Sequence, residues 1–235
     1  MSIIRKIKID CVFFLNGGRI VSFEWFGQAC FEISDSITIV TDPHDGGSVG
    51  LEQPRCSGDV VTISHYHFDH SNGKDLVSDE GTLFIDDIGK RKINGLEIHG
   101  ISSYHDKSEG RKRGENIIFI FELDEMKICH LGDLGHKLAE KKIDDLGNID
   151  VLLIPVGGNY TINAREAVEV VKDLNPSVVI PMHYRVPGLE VEISDDSEFL
   201  ELARDNGWSI ERKEQASLSR FEKGIKIIKL DCKTS

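Results

Sequence analysis

Short apolar or alternating segments recur through the first half of the chain, at Ile20 to Phe26, Cys30 to Ser34, Ile37 to Thr41, Val60 to Ser64, Leu83 to Ile85, Leu96 to Ser102 and Ile117 to Glu122. Their richness in Val, Ile, Phe and Thr, with turn residues between them, predicts strands. More strands are predicted at Met126 to Leu131, Val151 to Pro155, Val178 to Pro181 and Ile225 to Leu230. Helical spacing enters only between these later strands. Ala164, Ala167, Val168, Val171 and Leu174 fall on one helical face, and Asn175-Pro176 stops the pattern. A second helix is expected after the capping run Ser194-Asp195-Asp196-Ser197, and a third over Lys137 to Leu146, closed by Gly147-Asn148.

Strands with helices inserted in both halves, and no low-complexity linker, predict an α/β protein in which two sheets face each other with helices packed outside. The 235 residues suffice for one large core, so residues 1–235 are expected to form a single domain.

The formal net charge of −12 disfavours extended nucleic-acid binding through a basic face. One basic cluster, Arg111-Lys112-Arg113, interrupts the acidic background between two glycines and suits a small anionic substrate. Cys11, Cys30, Cys56, Cys129 and Cys232 are odd in number and hold no Cys-X-X-Cys pair, which argues for a reducing cytoplasm rather than a disulfide framework. The apolar run Cys11 to Leu15 is too short for a signal core, and no segment reaches the length of a membrane span.

Chemistry concentrates in Ser64-His65-Tyr66-His67-Phe68-Asp69-His70-Ser71, directly after a predicted strand. Imidazole and carboxylate are the donors that Zn²⁺, Mn²⁺ and iron accept. His65 and His67, two apart, share one side of an extended segment and can chelate one ion. Asp69 and His70, where the chain turns, can face a second. Further donors follow other predicted strands: His105 after Leu96 to Ser102, Asp133 after the strand ending at Leu131, and His183 after Val178 to Pro181. Asp42, after Ile37 to Thr41, is a candidate to accept the outer N–H of a ligand histidine.

This pattern resembles the metallo-β-lactamase superfamily, whose hallmark His-X-His-X-Asp-His is matched by His65, His67, Asp69 and His70. The Trp25-Phe26-Gly27-Gln28-Ala29 stretch, the His130 to His136 segment, Pro155-Val156-Gly157-Gly158 and Pro181-Met182-His183-Tyr184 resemble its branch of short metal-dependent hydrolases, which includes the ascorbate-phosphate lactonases. The resemblance implies a four-layer αβ/βα sandwich, with His65, His67 and His105 on one metal, Asp69, His70 and His183 on another, and Asp133 bridging. Tyr104 precedes His105 where the superfamily often has glycine, so His99 and His130 stand beside it as candidates. The alternation of His130 with Leu131 favours a buried role for His130.

Two divalent ions, zinc first with manganese or iron as alternatives, would make a bridging hydroxide available near neutral pH for ester-type hydrolysis, of a phosphodiester or a lactone. Asp69 would orient it. His136, Tyr160, Tyr184 and a metal-bound water are candidates to protonate the leaving group, with His136 and Tyr184 preferred among the side chains. Arg111, Arg113, Asn116, Asn159, Tyr160 and Arg185 flank the ligands and are candidates for substrate binding. An iron-dependent oxidoreductase and a non-catalytic metal-binding protein are the alternative readings, and homo-oligomerisation is left open.

Overall fold

The structure, a computed structural model, describes residues 20–123, 125–219, 221 and 223–233. The run Cys11 to Leu15 lies outside them. In chain order the elements are β1 (Val21–Trp25), β2 (Phe31–Ser34), β3 (Thr38–Thr41), β4 (Gly58–Thr62), α1 (Phe68–Ser71), β5 (Ser78–Ile85), β6 (Gly89–Ile93) and β7 (Leu96–Tyr104). They continue as β8 (Glu115–Leu123), β9 (Met126–His130), α2 (Glu140–Leu146), β10 (Val151–Pro155), α3 (Ala164–Leu174), β11 (Val178–Met182), α4 (Ser197–Asp205), β12 (Ser209–Lys213), β13 (Ala216–Leu218) and β14 (Lys226–Leu230).

Two mixed sheets flanked by helices carry the fold, as expected. The first has the order β13-β1-β2-β3-β4-β5, and the second β12-β14-β11-β10-β9-β8-β7-β6. In the first sheet only β3, β4 and β5 run parallel; in the second β9, β10, β11, β14 and β12 do. Val151–Pro155 and Val178–Met182 are buried at every position, because a parallel strand at the centre of a covered sheet has no solvent face. By contrast, β1 alternates between buried and half-buried residues. Phe23, Phe31, Ile33 and Ile39 of the first sheet join Phe119, Phe121, Ile128 and Leu153 of the second in one apolar cluster. Helix α3 covers that cluster with Ala167, Val168, Val171 and Leu174. Its capping box pairs the Asn163 side chain with the Glu166 N–H, and the Glu166 side chain with the Asn163 N–H.

Several boundaries differ from the sequence expectation. The third helix begins at Glu140 rather than Lys137. Ahead of α4, Asp195 accepts the Ser197 N–H at 3.0 Å, whereas Asp196 at the cap position pairs with Lys229. Strands β6 and β12 were not foreseen: Gly-Lys-Arg-Lys-Ile and Ser-Ile-Glu-Arg-Lys lie at opposite edges of the second sheet, where one side needs no apolar residues.

What matters for the site is the shared rim. The C-terminal ends of β3 and β4 in one sheet, and of β7, β9 and β11 in the other, open onto the same cleft. Carboxyl ends of parallel strands are where α/β sheets place their ligand sites.

Candidate metal centre

Beyond β4 the chain leaves the sheet and enters the single turn α1. His65 and His67 precede this turn, and Asp69 and His70 lie within it. His105 follows β7, Asp133 follows β9 and His183 follows β11. All seven meet. Ligand-capable atoms of His65, His67 and His105 lie within 4.8 Å of one another, as do those of Asp69, His70 and His183, and those of His65, His70 and Asp133. Asp133 Oδ2 is the common centre, at 3.1 Å from His105 Nε2, 3.3 Å from both His70 Nε2 and His183 Nε2, and 3.9 Å from His65 Nε2.

Asp42, fully buried at the end of β3, orders this cluster from behind. Its Oδ1 accepts the Ser64 N–H and its Oδ2 the Ser64 hydroxyl, both at 2.6 Å. The same Oδ2 accepts His70 Nδ1–H at 3.0 Å. With its proton given to Asp42, the Ser64 oxygen is left to accept His65 Nδ1–H at 2.9 Å. With a cation at the centre, both imidazoles would turn an unprotonated Nε2 toward it, the tautomer a metal requires. His65 Nε2, His70 Nε2 and Asp133 Oδ1 are buried without a hydrogen-bond partner. Such atoms are costly unless something else satisfies them, and a cation fits this donor set.

The electrostatics point the same way. Burial, then the nearby His70, brings His65 down to about 3. Burial opposes a charge on His70, but Asp133 and Asp69 more than offset it and hold its pKa well above the ordinary value. Burial likewise opposes a charge on His183, and Asp133 and Asp69 raise it to about 9. Asp133 is buried, yet His183 and His70 keep its carboxyl well below the carboxylate range. Protons thus stand in for cations among these carboxylates.

Backbone shape is specified as tightly. Gln28, Asp42 and His183 adopt φ of 47°, 40° and 51°, a left-handed conformation that side-chain-bearing residues adopt at a cost of about 1–3 kcal/mol and that gathers at functional sites. Gly132 has φ of 54°, and a Cβ there would stand 2.4 Å from Asn116 Oδ1 and 2.7 Å from Ser64 Cβ. Only glycine lets β9 deliver Asp133 at this depth.

Several sequence expectations give way to the geometry. Asn116 is fully buried: its Nδ2 donates to Ser103 Oγ and to the Leu131 carbonyl, and its Oδ1 accepts the Asp133 N–H at 2.9 Å. It shapes the Asp133 turn instead of meeting substrate. Tyr184 is buried against Trp25, with ring centroids 4.8 Å apart, and its hydroxyl faces the Leu230 carbonyl, so it cannot serve as a proton donor to substrate. His136 accepts the Tyr104 N–H through Nε2 and donates from Nδ1 to the Lys137 carbonyl, leaving no nitrogen free for acid chemistry. His130 is fully buried and bonded to the Ala29 carbonyl and the Gly132 N–H, the buried role its alternation implied.

The cleft above the cluster has a volume of about 620 Å³. His67, Asp69, His105 and Asp133 reach its floor, and Phe68, Arg113 and Tyr160 stand at its walls. The Arg113 guanidinium lies 4.5 Å from the Tyr160 ring centroid and pairs with no carboxylate among the described residues. Asp106 orders the loop that carries Arg113 by accepting the backbone N–H groups of Ser108, Lys112 and Arg113. Arg111 turns back to the Ser108 carbonyl, Arg185 faces Asp195 at 3.6 Å, and the Asn159 amide donates to the Glu192 carbonyl. These three side chains are spent on neighbouring loops.

A two-sheet fold with a buried His/Asp cluster at the rim is the architecture of the metallo-β-lactamase superfamily. The sequence profile of the beta-lactamase superfamily domain matches residues 22–183, and the chain belongs to that family. The chain is similar to the UPF0173 metal-dependent hydrolase of Pyrococcus horikoshii, with 30% identity over 212 residues, 79% of this chain and 93% of that protein. A solved Thermotoga maritima structure, assigned to the Zn-dependent hydrolases of the metallo-beta-lactamase superfamily, is 38% identical with a TM-score of 0.73, covering 89% of this chain and 98% of that one. Igni18, a metallo hydrolase from Ignicoccus hospitalis, is 25% identical with a TM-score of 0.60, covering 80% of this chain and 92% of its own. Among the described residues no helix is long and apolar enough to cross a membrane.

Proposed function

We propose that this hydrolase cleaves an ester-type bond, a phosphodiester or a lactone, in a small anionic substrate, using two divalent metal ions. The observation that carries the reading is the position of Asp133 Oδ2 between the His65, His67 and His105 group and the Asp69, His70 and His183 group. When bound, such a pair of cations, zinc first and manganese or iron as alternatives, supplies a hydroxide near neutral pH and Lewis acidity at the scissile carbonyl or phosphoryl oxygen.

The chain's own residues do the rest. Asp133 offers one carboxylate to both groups and lowers their mutual repulsion. Asp69, which lines the cleft, would help hold one cation and orient the attacking water. Arg113, over the Tyr160 ring at the wall, receives the substrate's phosphate or carboxylate, and Phe68 offers an apolar surface beside it. With Tyr184 and His136 set aside, Tyr160 is the side chain within the cleft that could protonate the leaving group, a metal-bound water being the alternative donor. A reducing cytoplasm is the proposed location, supported by the free thiols Cys30, Cys56, Cys129 and Cys232.

Elemental analysis of protein purified without added metal, followed by turnover on phosphodiester, lactone and thioester panels, tests the reading. Two ions per chain and metal-dependent cleavage of anionic esters are expected. One ion per chain, or iron with oxygen uptake and no ester turnover, would reject it.

A further inference from the structure

Gln28 sits between the two sheets, in the turn from β1 to β2, and no described atom of it reaches solvent. Its backbone carbonyl accepts two bonds, from the Trp25 indole and from the His183 N–H, each at 3.0 Å. Its side-chain Nε2 donates to Asp69 Oδ2 at 2.9 Å and lies 3.3 Å from His183 Nε2. One residue thereby joins Asp69, in the turn α1 after β4 of the first sheet, to His183, which follows β11 of the second. The strain at this position argues that the placement is specified: Gln28 holds φ of 47°, and Gly27 before it holds 98°, where a Cβ would stand 2.5 Å from Leu51 Cδ1.

The orientation of the carboxamide follows from charge. The group facing Asp69 Oδ2 must be the NH₂, since the carbonyl oxygen there would oppose a carboxylate oxygen. Gln28 Oε1 is left buried without a partner, a desolvation cost that an apolar side chain of equal length would avoid.

We infer that Gln28 is a positioning residue for the Asp69, His70 and His183 site, its amide fixing the Asp69 carboxylate and its carbonyl fixing the His183 backbone so that the two sheets present these ligands in register. The inference rests on the two-metal reading. Carboxylate ligands held by outer hydrogen bonds lose about 10–100-fold in metal affinity when that partner is removed. The His65, His67 and His105 group makes no contact with Gln28 and is expected to keep its affinity.

Cobalt titration of metal-free wild type and Gln28→Met, followed by calorimetry and by the visible spectrum of each filling step, provides the test. Wild type is expected to take up two ions. Gln28→Met is expected to bind the first with wild-type affinity and spectrum, and the second about 10–100-fold more weakly with an altered spectrum. A wild type that binds one ion defeats the two-metal reading itself. Two wild-type affinities and spectra in Gln28→Met defeat the role of Gln28 alone. Should that variant not fold, wild type with ¹⁵N-labelled glutamine side chains answers the same question, because Gln53 and Gln215 are the other glutamines. One side-chain amide must shift as the Asp69 site fills and resist exchange with solvent; three unshifted amides would overturn the inference.

Discussion

The Asp42 carboxylate and the His70 imidazole meet at 3.0 Å through Oδ2 and Nδ1, with both side chains fully buried. Burial alone would raise the Asp42 carboxyl, but the hydrogen bond and charge of His70 hold it below its ordinary value. Replacing Asp42 with alanine strands three buried donors at once, on His70 and at two positions of Ser64. The expected cost is about 3–5 kcal/mol of stability, together with about 10–100-fold in metal affinity as the His65 and His70 tautomers are released. Denaturant melts and competition with a chromophoric chelator measure the two effects. Unchanged affinity would remove Asp42 from the site's support.

His67 and Asp69 separate function from folding. His67 is exposed and its ring makes no hydrogen bond among the described residues, whereas Asp69 is buried and bonded to Gln28. His67→Ala and Asp69→Ala are both expected to abolish metal-dependent ester hydrolysis. Thermal melts should show His67→Ala within about 0.5 kcal/mol of wild type, as for other surface changes. Persistent turnover in either variant would mean that the chemistry lies elsewhere.

Acidity of the metal-free protein has a definite sign. His183 titrates at about 9 in the folded chain, against about 6.5 when unfolded. A raised folded pKa contributes stability that is complete below the unfolded value and is lost as pH climbs through the folded one. The metal-free protein should therefore melt lower at pH 9 than at pH 6.5. Bound cations replace these protons, so the loaded protein should escape this loss, and metal uptake at pH 7 should release protons. Calorimetry in buffers of differing ionisation heat counts them; zero release would contradict the protonated cluster.

Much of this was legible because it is local or periodic. Helix α3 is fixed by five apolar residues at helical spacing, and β10 and β11 by continuous Val, Ile and Leu. The seven cluster residues stood out because strands end abruptly in His or Asp. The roles of Asn116, which its place near the ligands assigns to substrate, and of Gln28 leave no such trace, since a single amide in a strand or turn has no period and their partners lie 17 and 41 residues away. Tyr184 and His136 misled for the converse reason: adjacency to a ligand in sequence says nothing about direction, and one faces β14 while the other faces its own backbone. Gln28 was quoted only as part of a resemblance, although a polar residue between Trp25-Phe26-Gly27 and Ala29-Cys30-Phe31 was a signal that buried chemistry was near.

Two conservative changes separate neighbours of the site from participants. Tyr184→Phe removes a hydroxyl that faces the Leu230 carbonyl at 3.5 Å and lies behind the Trp25 ring. Its kcat/KM should stay within about twofold of wild type. Tyr160→Phe, altering a cleft wall, should lower kcat for substrates with poor leaving groups more than for activated ones. Paired rate measurements on both substrate types decide, and an equal loss for both would deny Tyr160 a proton-transfer role.

Arg111 and Arg113 are two residues apart and nearly identical in sequence context, yet only Arg113 lines the cleft. The Asp106 carboxylate accepts the Arg113 backbone N–H at 2.8 Å and the Arg113 guanidinium lies over the Tyr160 ring, while Arg111 Nε donates to the Ser108 carbonyl of its own turn. Arg113→Ala should raise KM for an anionic ester about tenfold, equivalent to about 1.4 kcal/mol, with kcat little changed, because an anchor remote from the bond being broken binds ground and transition states alike. Arg111→Ala should leave both constants near wild type, and a neutral ester should not distinguish Arg113→Ala from wild type. Steady-state kinetics on a matched charged and uncharged pair of esters measures all three. If the neutral ester loses as much as the charged one, Arg113 shapes the cleft wall rather than receiving an anion.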